Sequence, residues 1–174
     1  MGDASSKTIE TTLKSGPGQS VVLVVGGAEE SLLSSPKTND LLLSKRKGFV
    51  KIALRNGCPM VPVFGFGETN CYGNLADRYP WVKKYLLKAQ KAIGFAFPLI
   101  IGRGWFNYNW GPLPHRTLIM TVVGAPVEVP HIPHPTQEEI DHWHKVYVEA
   151  LMKLYQDHKN IYDLHSTKDA RIVS

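Results

Sequence analysis

The sequence has few cysteines and no hydrophobic run long enough to cross a membrane. Its only cysteines are Cys58 and Cys71, and residues 1–14 are polar and lack the apolar core of a signal peptide. We therefore expect free thiols rather than a disulfide framework. The best apolar run, residues 93–102, contains proline and glycine and falls short of the roughly 20 residues that a membrane-spanning helix needs. We expect that the chain does not cross a bilayer by itself, which leaves contact with a membrane surface open.

The sequence also lacks the motifs of metal sites, phosphate-binding loops and nucleic-acid-binding modules. HExxH, CxxC and GxxxxGK[ST] patterns are absent, so we predict no metal site and no P-loop. The net charge of +5 and the pI near 9.2 favour acidic partners such as phosphates or an anionic membrane face. Without a helix-turn-helix, zinc-finger or RRM signature, we predict no nucleic-acid partner.

A strand–helix–strand pattern occupies the first third of the chain. Residues 20–25 consist of Ser20 and a continuous apolar run, which is typical of a strand buried on both faces of a parallel sheet. Residues 41–57 contain a helix that stops at Asn56-Gly57, and residues 60–68 predict a second strand. This order predicts a βαβ unit and hence an α/β fold with a partly parallel sheet and flanking helices.

The remainder of the sequence predicts three further helices and two further strands. Thr136 and Glu139 form a capping box that starts the clearest helix, and the residues after Lys159 are polar and predicted to be frayed. Because linkers and repeats are absent, a single unit is expected. The other predicted elements are a short helix at 3–14, a helix at 77–94, and strands at 96–102 and 116–129.

Glycines and glutamates follow both of the first two predicted strands. Gly26 and Gly27 leave the backbone bare for a ligand, with Glu30 just behind them, and Glu68 follows the second strand. In parallel sheets, ligands bind outside the carboxyl ends of the strands, so Glu30 and Glu68 would share one rim. The alternative is a surface turn with solvated acids.

A row of cations lies on the predicted helix at 41–57. Lys47, Lys51 and Arg55 recur at steps of four and share one helix face. Such a row suits a polyphosphate or anionic lipid headgroups, and the alternative is a solvated basic face. Basic and aromatic residues also mix in residues 80–93 and 102–114, which fits either an interfacial membrane surface or a core-facing stripe with ordinary lysines.

Two histidines invite a catalytic interpretation that the sequence does not favour. His158 and Asp163 have the HxxxxD spacing of glycerolipid acyltransferases, in which histidine deprotonates a hydroxyl. The pair lies far downstream of the predicted βαβ unit, so we interpret it as a chance match. His144 flanks the packed stripe of the last helix and is expected to be an interfacial histidine with a satisfied ring.

Six sequence blocks, taken in order, resemble the type 2 diacylglycerol O-acyltransferase family, which includes monoacylglycerol and wax-alcohol acyltransferases. The resemblance covers roughly residues 7–159, and the blocks are VVGGAEES, RKGFVKIAL, VPVFGFGE, GRG, TVVGAPVEVP and HPTQEEIDHWHKVYVEALMKLYQDHK. It implies an enzyme that transfers a fatty acyl group from acyl-CoA to the hydroxyl of diacylglycerol or a related neutral acceptor, as in triacylglycerol synthesis. It also implies acyl-CoA as co-substrate without another cofactor, and a location at the endoplasmic reticulum membrane or lipid droplets. A homo-oligomer is compatible with it.

The resemblance also implies a substrate-binding site and a glycerolipid-acyltransferase-like fold. Gly26, Gly27 and Glu30 would line the acceptor site and Arg46, Lys47 and Gly48 would lie close by, with Pro62, Gly67 and Glu68 at the second strand. Residues 1–160 would be the C-terminal part of the acyltransferase domain, an incomplete fold, and residues 161–174 a polar tail.

The family's HPHG motif, which supplies its proposed catalytic histidine, and its hydrophobic N-terminal segment are absent from this sequence. We therefore predict no catalytic residue here, and expect the chain alone to be inactive and poorly soluble. It would carry the substrate-binding half of the enzyme. The alternative is a catalytically inactive lipid-binding or regulatory subunit that pairs with a full-length acyltransferase.

Overall fold

The computed structural model describes residues 5–26, 39–74, 100–107, 111–163 and 169–172. Within these ranges the chain forms helices α1 (Ser6–Lys14), α2 (Gly48–Asn56) and α3 (Gln137–Tyr162). The strands are β1 (Asp40–Leu41), β2 (Val63–Phe66), β3 (Gly73–Asn74), β4 (Ile100–Ile101), β5 (Met120–Val123) and β6 (Arg171–Ile172). Short 3₁₀ turns span Glu68–Asn70 and Trp105–Asn107. The mixed α/β class is confirmed.

The helix ends follow from local sequence signals. Thr136 caps α3: its hydroxyl accepts a hydrogen bond from the Glu139 N–H, and the Glu139 carboxylate accepts one from the Thr136 N–H, which confirms the capping box. Helix α2 ends at Gly57, whose φ of 60° is left-handed, as predicted from Asn56-Gly57. Its first residue is Gly48, so the helix occupies only the second half of residues 41–57.

The strands pair in three small two-stranded sheets. Strands β2 and β5 are antiparallel with Val63 opposite Val123, β3 and β4 are antiparallel, and β1 and β6 are parallel. Phe64 and Phe66 point from the inner face of β2 onto α3, where the Phe66 ring stacks on Tyr155 at 5.7 Å between ring centroids. The outer face of this sheet carries Val63 and Val123, which are exposed.

The predicted βαβ unit is wrong in the described residues. Residues 20–25 are not a strand, and Val22 and Val24 are 94% and 81% exposed. The hydrogen-bonded neighbour of β2 is the antiparallel β5, which comes later in the chain. A β-branched run favours extended backbone, but it becomes a strand only where a neighbouring strand takes its hydrogen bonds.

Two clusters of buried side chains form the core. The first lies between β2 and α3 and consists of Leu43, Phe64, Phe66, Leu151, Leu154, Tyr155 and Ala170. The second lies between α2 and α3 and consists of Val50, Ala53, Leu54, Met60 and Ile140. Phe49 and Tyr147 pack against both clusters, with their rings edge to face at 5.0 Å. Helix α3 is thus the common support of the core.

Residues near the end of the chain pair with β1, in its first quarter, and are not frayed throughout. Strand β6 pairs with β1, the Arg171 guanidinium donates hydrogen bonds to both carboxylate oxygens of Asp40, and Ala170 is buried. The prediction of a frayed tail is therefore wrong for residues 169–172, because a partner strand distant in sequence pairs with them.

The remaining predicted elements are only partly described. The helix predicted at 77–94 lies outside the described residues, and of the strand at 96–102 the described part forms β4. The strand predicted at 116–129 is confirmed as the shorter β5. Among the described helices, none combines the length and hydropathy that crossing a membrane requires.

Candidate functional site

Three of the sequence blocks converge on the first core cluster. Phe66 belongs to that cluster, and Val25 and Phe49 pack against it. Each of the three is the sequence neighbour of a candidate glycine, namely Gly67, Gly26 and Gly48. The chain therefore brings Gly26, the 46–48 turn and the end of β2 around one hydrophobic support. Gly26 itself is buried, while Gly27 and Glu30 lie outside the described residues.

The 46–48 turn leads from β1 into α2. The Arg46 N–H donates to the Leu43 carbonyl at 3.1 Å, and Lys47 occupies the N-cap position of α2. The ring of the buried His144, on α3, lies with Nε2 3.0 Å from the same Leu43 carbonyl. This confirms the prediction of a satisfied interfacial histidine, and it fixes the turn against α3.

The row of cations on α2 is largely paired with acids from other helices. Lys47 Nζ lies 2.8 Å from Asp141 Oδ1 of α3, and Arg55 Nη1 lies 3.2 Å from Glu10 Oε1 of α1. The hydrogen bond from Lys47, followed by one from Gln137, lowers the pKa of Asp141. Only Lys51 of the row is exposed without a described acid beside it. Of the two interpretations of this row, the ion pairs of Lys47 and Arg55 favour a solvated basic face over a site for a polyphosphate or lipid headgroups.

Each end of β2 is shaped by a buried or tightly packed position. Pro62 is fully buried and its carbonyl accepts a 2.8 Å hydrogen bond from the Gly124 N–H, which places it at the start of β2 beside β5. Gly67 has a φ of 81°, and a Cβ there would lie 2.2 Å from the Leu118 carbonyl oxygen. Only glycine therefore fits at the turn that ends β2.

Glu68 stands directly after this turn and is exposed. Its Oε2 lies 3.1 Å from the position that a Cβ on Gly65 would take, so the carboxylate folds back over the bare end of β2. A carboxylate held there accepts hydrogen bonds from a ligand that approaches the strand end. Glu68 is the one acid of the two predicted at the rim that the structure describes.

The HxxxxD pair is not a catalytic dyad in this structure. His158 Nδ1 lies 2.9 Å from the Leu154 carbonyl, and the His158 ring stacks on Tyr162. Asp163 Oδ2 instead accepts hydrogen bonds from Asn39 Nδ2 and the Tyr155 hydroxyl, each at 2.7 Å. The separate partners agree with the interpretation as a chance match.

Sequence reasoning missed the Tyr155–Asp163–Asn39 network. Burial and the hydrogen bond to Asp163 raise the pKa of Tyr155 to about 12. The network joins the last turn of α3 to the residue before β1, near the 46–48 turn. No pattern pointed to it, because Asn39 and Asp163 are 124 positions apart. In the described part of the chain, no group of three or more His, Cys, Asp or Glu side chains is arranged to hold a metal ion.

Comparison with known proteins gives one consistent family. The family profile described as diacylglycerol acyltransferase matches residues 1–173. Diacylglycerol O-acyltransferase 2 of Dictyostelium discoideum is 49% identical over 92% of this chain and 49% of that protein. The human diacylglycerol O-acyltransferase 2 is 44% identical over 94% of this chain and 43% of that protein. The bovine 2-acylglycerol O-acyltransferase 1 is 45% identical over 87% of this chain and 45% of that protein.

The chain spans about half the length of the curated relatives it matches. No solved structure matches it at a significant level.

Proposed function

The chain belongs to the diacylglycerol acyltransferase family, and from this premise we propose that it carries the acceptor-binding region of an acyl-CoA-dependent O-acyltransferase. The reaction joins a fatty acyl group from acyl-CoA to the free hydroxyl of diacylglycerol, or of a related acylglycerol or long-chain alcohol. Acyl-CoA is the co-substrate and no further cofactor is proposed. The place of action is the endoplasmic reticulum membrane or the surface of lipid droplets.

The observation that carries the proposal is the convergence of the family's blocks on one core cluster. Val25, Phe49 and Phe66 form one hydrophobic support. Three segments surround it: Gly26, the turn with Arg46, Lys47 and Gly48, and the β2 segment from Pro62 to Glu68. Residues 26–30 precede this turn in the chain, so Gly27 and Glu30 are proposed members of the same site. This arrangement supports one acceptor site rather than three unrelated turns.

Glu68 has the role that the chemistry of an acylglycerol requires. Its exposed carboxylate accepts a hydrogen bond from a glycerol hydroxyl and thereby orients the acceptor. Gly65 leaves room for the Glu68 carboxylate to fold back over the strand end, and Gly67 allows the turn that places Glu68 there. Lys47, held by Asp141, positions the turn rather than receiving an anion.

No residue of this chain is proposed as the general base. The His158 and Asp163 side chains are occupied by other partners, and His144 lies buried against the Leu43 carbonyl. A general base is worth typically 10² to 10⁴ in rate. We therefore propose that the chain binds the acceptor without turning it over.

The binding claim is tested by photolabelling. Microsomes that contain the chain are illuminated with a photoreactive diacylglycerol, with and without an excess of unlabelled diacylglycerol, monoacylglycerol or long-chain alcohol. We expect labelling that a preferred acceptor suppresses and that Glu68→Gln weakens. Glu138→Gln, an equal change at an exposed glutamate in the first turn of α3, is the control and leaves labelling unchanged. Labelling that no acceptor suppresses, or that Glu68→Gln leaves intact, contradicts the proposed site.

The turnover claim is tested in the same microsomes with labelled oleoyl-CoA and diacylglycerol. We expect no triacylglycerol above the background of microsomes without the chain. Product that Glu68→Gln abolishes would give this chain a catalytic role. Acceptor labelling without product, together with a gain in activity of a co-expressed full-length acyltransferase, would favour the alternative of a lipid-binding or regulatory subunit.

A further inference from the structure

Two isolated antiparallel bridges join Gly102 to Gly111 and Arg103 to Leu113, and we call these four residues the base. Gly102 and Gly111 exchange two hydrogen bonds of 2.9 and 3.0 Å, and Arg103 and Leu113 exchange two of 2.8 and 3.0 Å. A Cβ on Gly102 would overlap the Leu113 carbonyl oxygen, so the close approach of the two paired segments requires glycine there. These bonds fix the backbone directly before Trp105 and Phe106.

Trp105 and Phe106, which we call the tip, project from this base into solvent. Trp105 is 67% exposed and Phe106 is 97% exposed. Phe106 also has a φ of 56°, a left-handed backbone conformation that is unfavourable for a bulky residue. Packing within the described chain does not explain a strained backbone that presents two large aromatic rings to water. Trp and Phe in such a position are typical of side chains that enter the interface of a lipid bilayer.

The sequence around the tip has charge of one sign only. Residues 78–127 contain seven lysines and arginines and no aspartate or glutamate, whereas the whole chain has a net charge of +5. Within the described part of this stretch, Arg103 precedes the tip by two residues and Arg116 is exposed just beyond the base. The Arg103 Nε donates to the Pro114 carbonyl at 2.9 Å, which holds its guanidinium over the base. The charge around the tip is therefore complementary to an anionic surface.

We propose that the tip is a membrane-docking element: Trp105 and Phe106 enter the headgroup region of an anionic bilayer, and Arg103 and Arg116 contact its acidic lipids. This goes beyond the proposed acyl transfer, because docking requires no substrate and no catalytic group. It fixes one point at which the chain meets the membrane, and it gives the exposed aromatic rings an apolar environment.

Flotation with vesicles tests the docking. The full chain is synthesised in a cell-free reaction with vesicles of phosphatidylcholine alone or of phosphatidylcholine with 30% phosphatidylserine (roughly one anionic lipid in three), and vesicle-bound chain is separated from aggregates in a density gradient. We expect binding to the anionic vesicles to weaken on the order of tenfold or more when both tip residues become alanine. Arg116→Gln should weaken it about fivefold, the effect of one cation at an anionic surface.

Two variants serve as matched controls. Ile161→Ala shortens another exposed apolar side chain, near the end of α3, and Lys153→Gln removes an exposed cation from α3. Both should bind as the unchanged chain does. Undiminished binding of the tip variant overturns the proposal, and equal binding to both vesicle types overturns the assignment of an anionic surface.

Quenching by brominated lipids tests insertion with a variant that keeps the aromatic character of the tip. Trp105→Phe should bind vesicles normally but lose most of the bromine-dependent quenching of tryptophan fluorescence. Trp143→Phe, at a half-buried position on α3, should keep that quenching. Equal quenching in the two variants contradicts insertion of Trp105. Acceptor labelling by the chain can succeed while these tests fail, so the two proposals fail separately.

Discussion

The Tyr155 hydroxyl donates a 2.7 Å hydrogen bond to Asp163 Oδ2, the same oxygen that accepts a hydrogen bond from Asn39 Nδ2. Tyr155 is 1% exposed and its ring stacks on Phe66 of β2. One side chain thus joins the end of α3, the residue before β1 and the strand that leads to Glu68. The geometry of the proposed acceptor site depends on this junction.

Tyr155→Phe should destabilise the chain by about 1–3 kcal/mol, because the part-buried Asp163 carboxylate loses a donor. Urea unfolding measures this as a lower midpoint with an unchanged slope. Tyr147→Phe removes a phenolic hydroxyl from the same helix without touching Asp163 and should cost less. Equal losses in the two variants would mean that the hydrogen bond to Asp163 adds nothing to the free energy of unfolding beyond the loss of a phenolic hydroxyl.

Alkaline pH should destabilise the chain through the same residue. Burial, with the hydrogen bond to Asp163, raises the pKa of Tyr155 from 10.0 to about 12. Because the folded state favours the neutral phenol, this contribution is complete below the unfolded pKa and is lost as pH rises from 10 towards 12. Thermal unfolding followed across this window should show a decline that is smaller in Tyr155→Phe. Equal declines in the unchanged chain and in Tyr155→Phe would show that other groups cause the loss of stability at alkaline pH.

Gly67→Ala should be far more damaging than Gly18→Ala, although both glycines have left-handed φ values of 81° and 79°. The conformation alone costs about 1–2 kcal/mol with a side chain. At Gly67 the Cβ also overlaps the Leu118 carbonyl oxygen at 2.2 Å, whereas nothing lies within 4 Å at Gly18. We expect roughly 1–3 kcal/mol of additional loss at Gly67 in urea unfolding. Similar losses of stability at both positions would show that the backbone around Leu118, just before β5, moves away from the added Cβ at little cost.

Asp141→Asn should remove a contribution to stability that is sensitive to salt and that is lost in acid. The hydrogen bond from Lys47 holds the pKa of Asp141 below its ordinary value of 3.8. The contribution is therefore present above pH 3.8 and is lost as pH falls through the lowered folded pKa. Melting temperatures of the variant and the unchanged chain should differ near neutral pH and converge in strong acid.

The matched control for that pair is Asp157→Asn, at another exposed aspartate of α3. It should give a smaller difference at neutral pH. The difference for Asp141→Asn should shrink in 1 M salt, because exposed charges are then screened over about 3 Å. A difference that survives in salt would contradict an exposed ion pair.

Local signals predicted the helices well and the sheet poorly. Thr136 with Glu139 starts α3, and Gly57 ends α2, because capping involves only neighbours within the same turn. The strand predicted at 20–25 is wrong, because its apolar side chains say nothing about which strand lies beside it. The pairing of β2 with β5 joins residues about sixty positions apart, such as Val63 and Val123.

The candidate site divides in the same way. The glycines and Glu68 after β2 were identified from the sequence, since a bare strand end followed by a carboxylate is a local pattern, and they stay a predicted site. The pairing of Lys47 with Asp141 was not identified from the sequence, because the two residues are 94 positions apart.

The sequence by itself determined the family, the capped helices, the glycine turns and the excess of cations around Trp105 and Phe106, because each depends on residue identity or on neighbours along the chain. Only the tertiary structure decided which strands pair, that Asn39, Tyr155 and Asp163 meet, and that Trp105 and Phe106 face solvent. Those outcomes depend on how distant segments pack, which residue identity and neighbours along the chain do not specify.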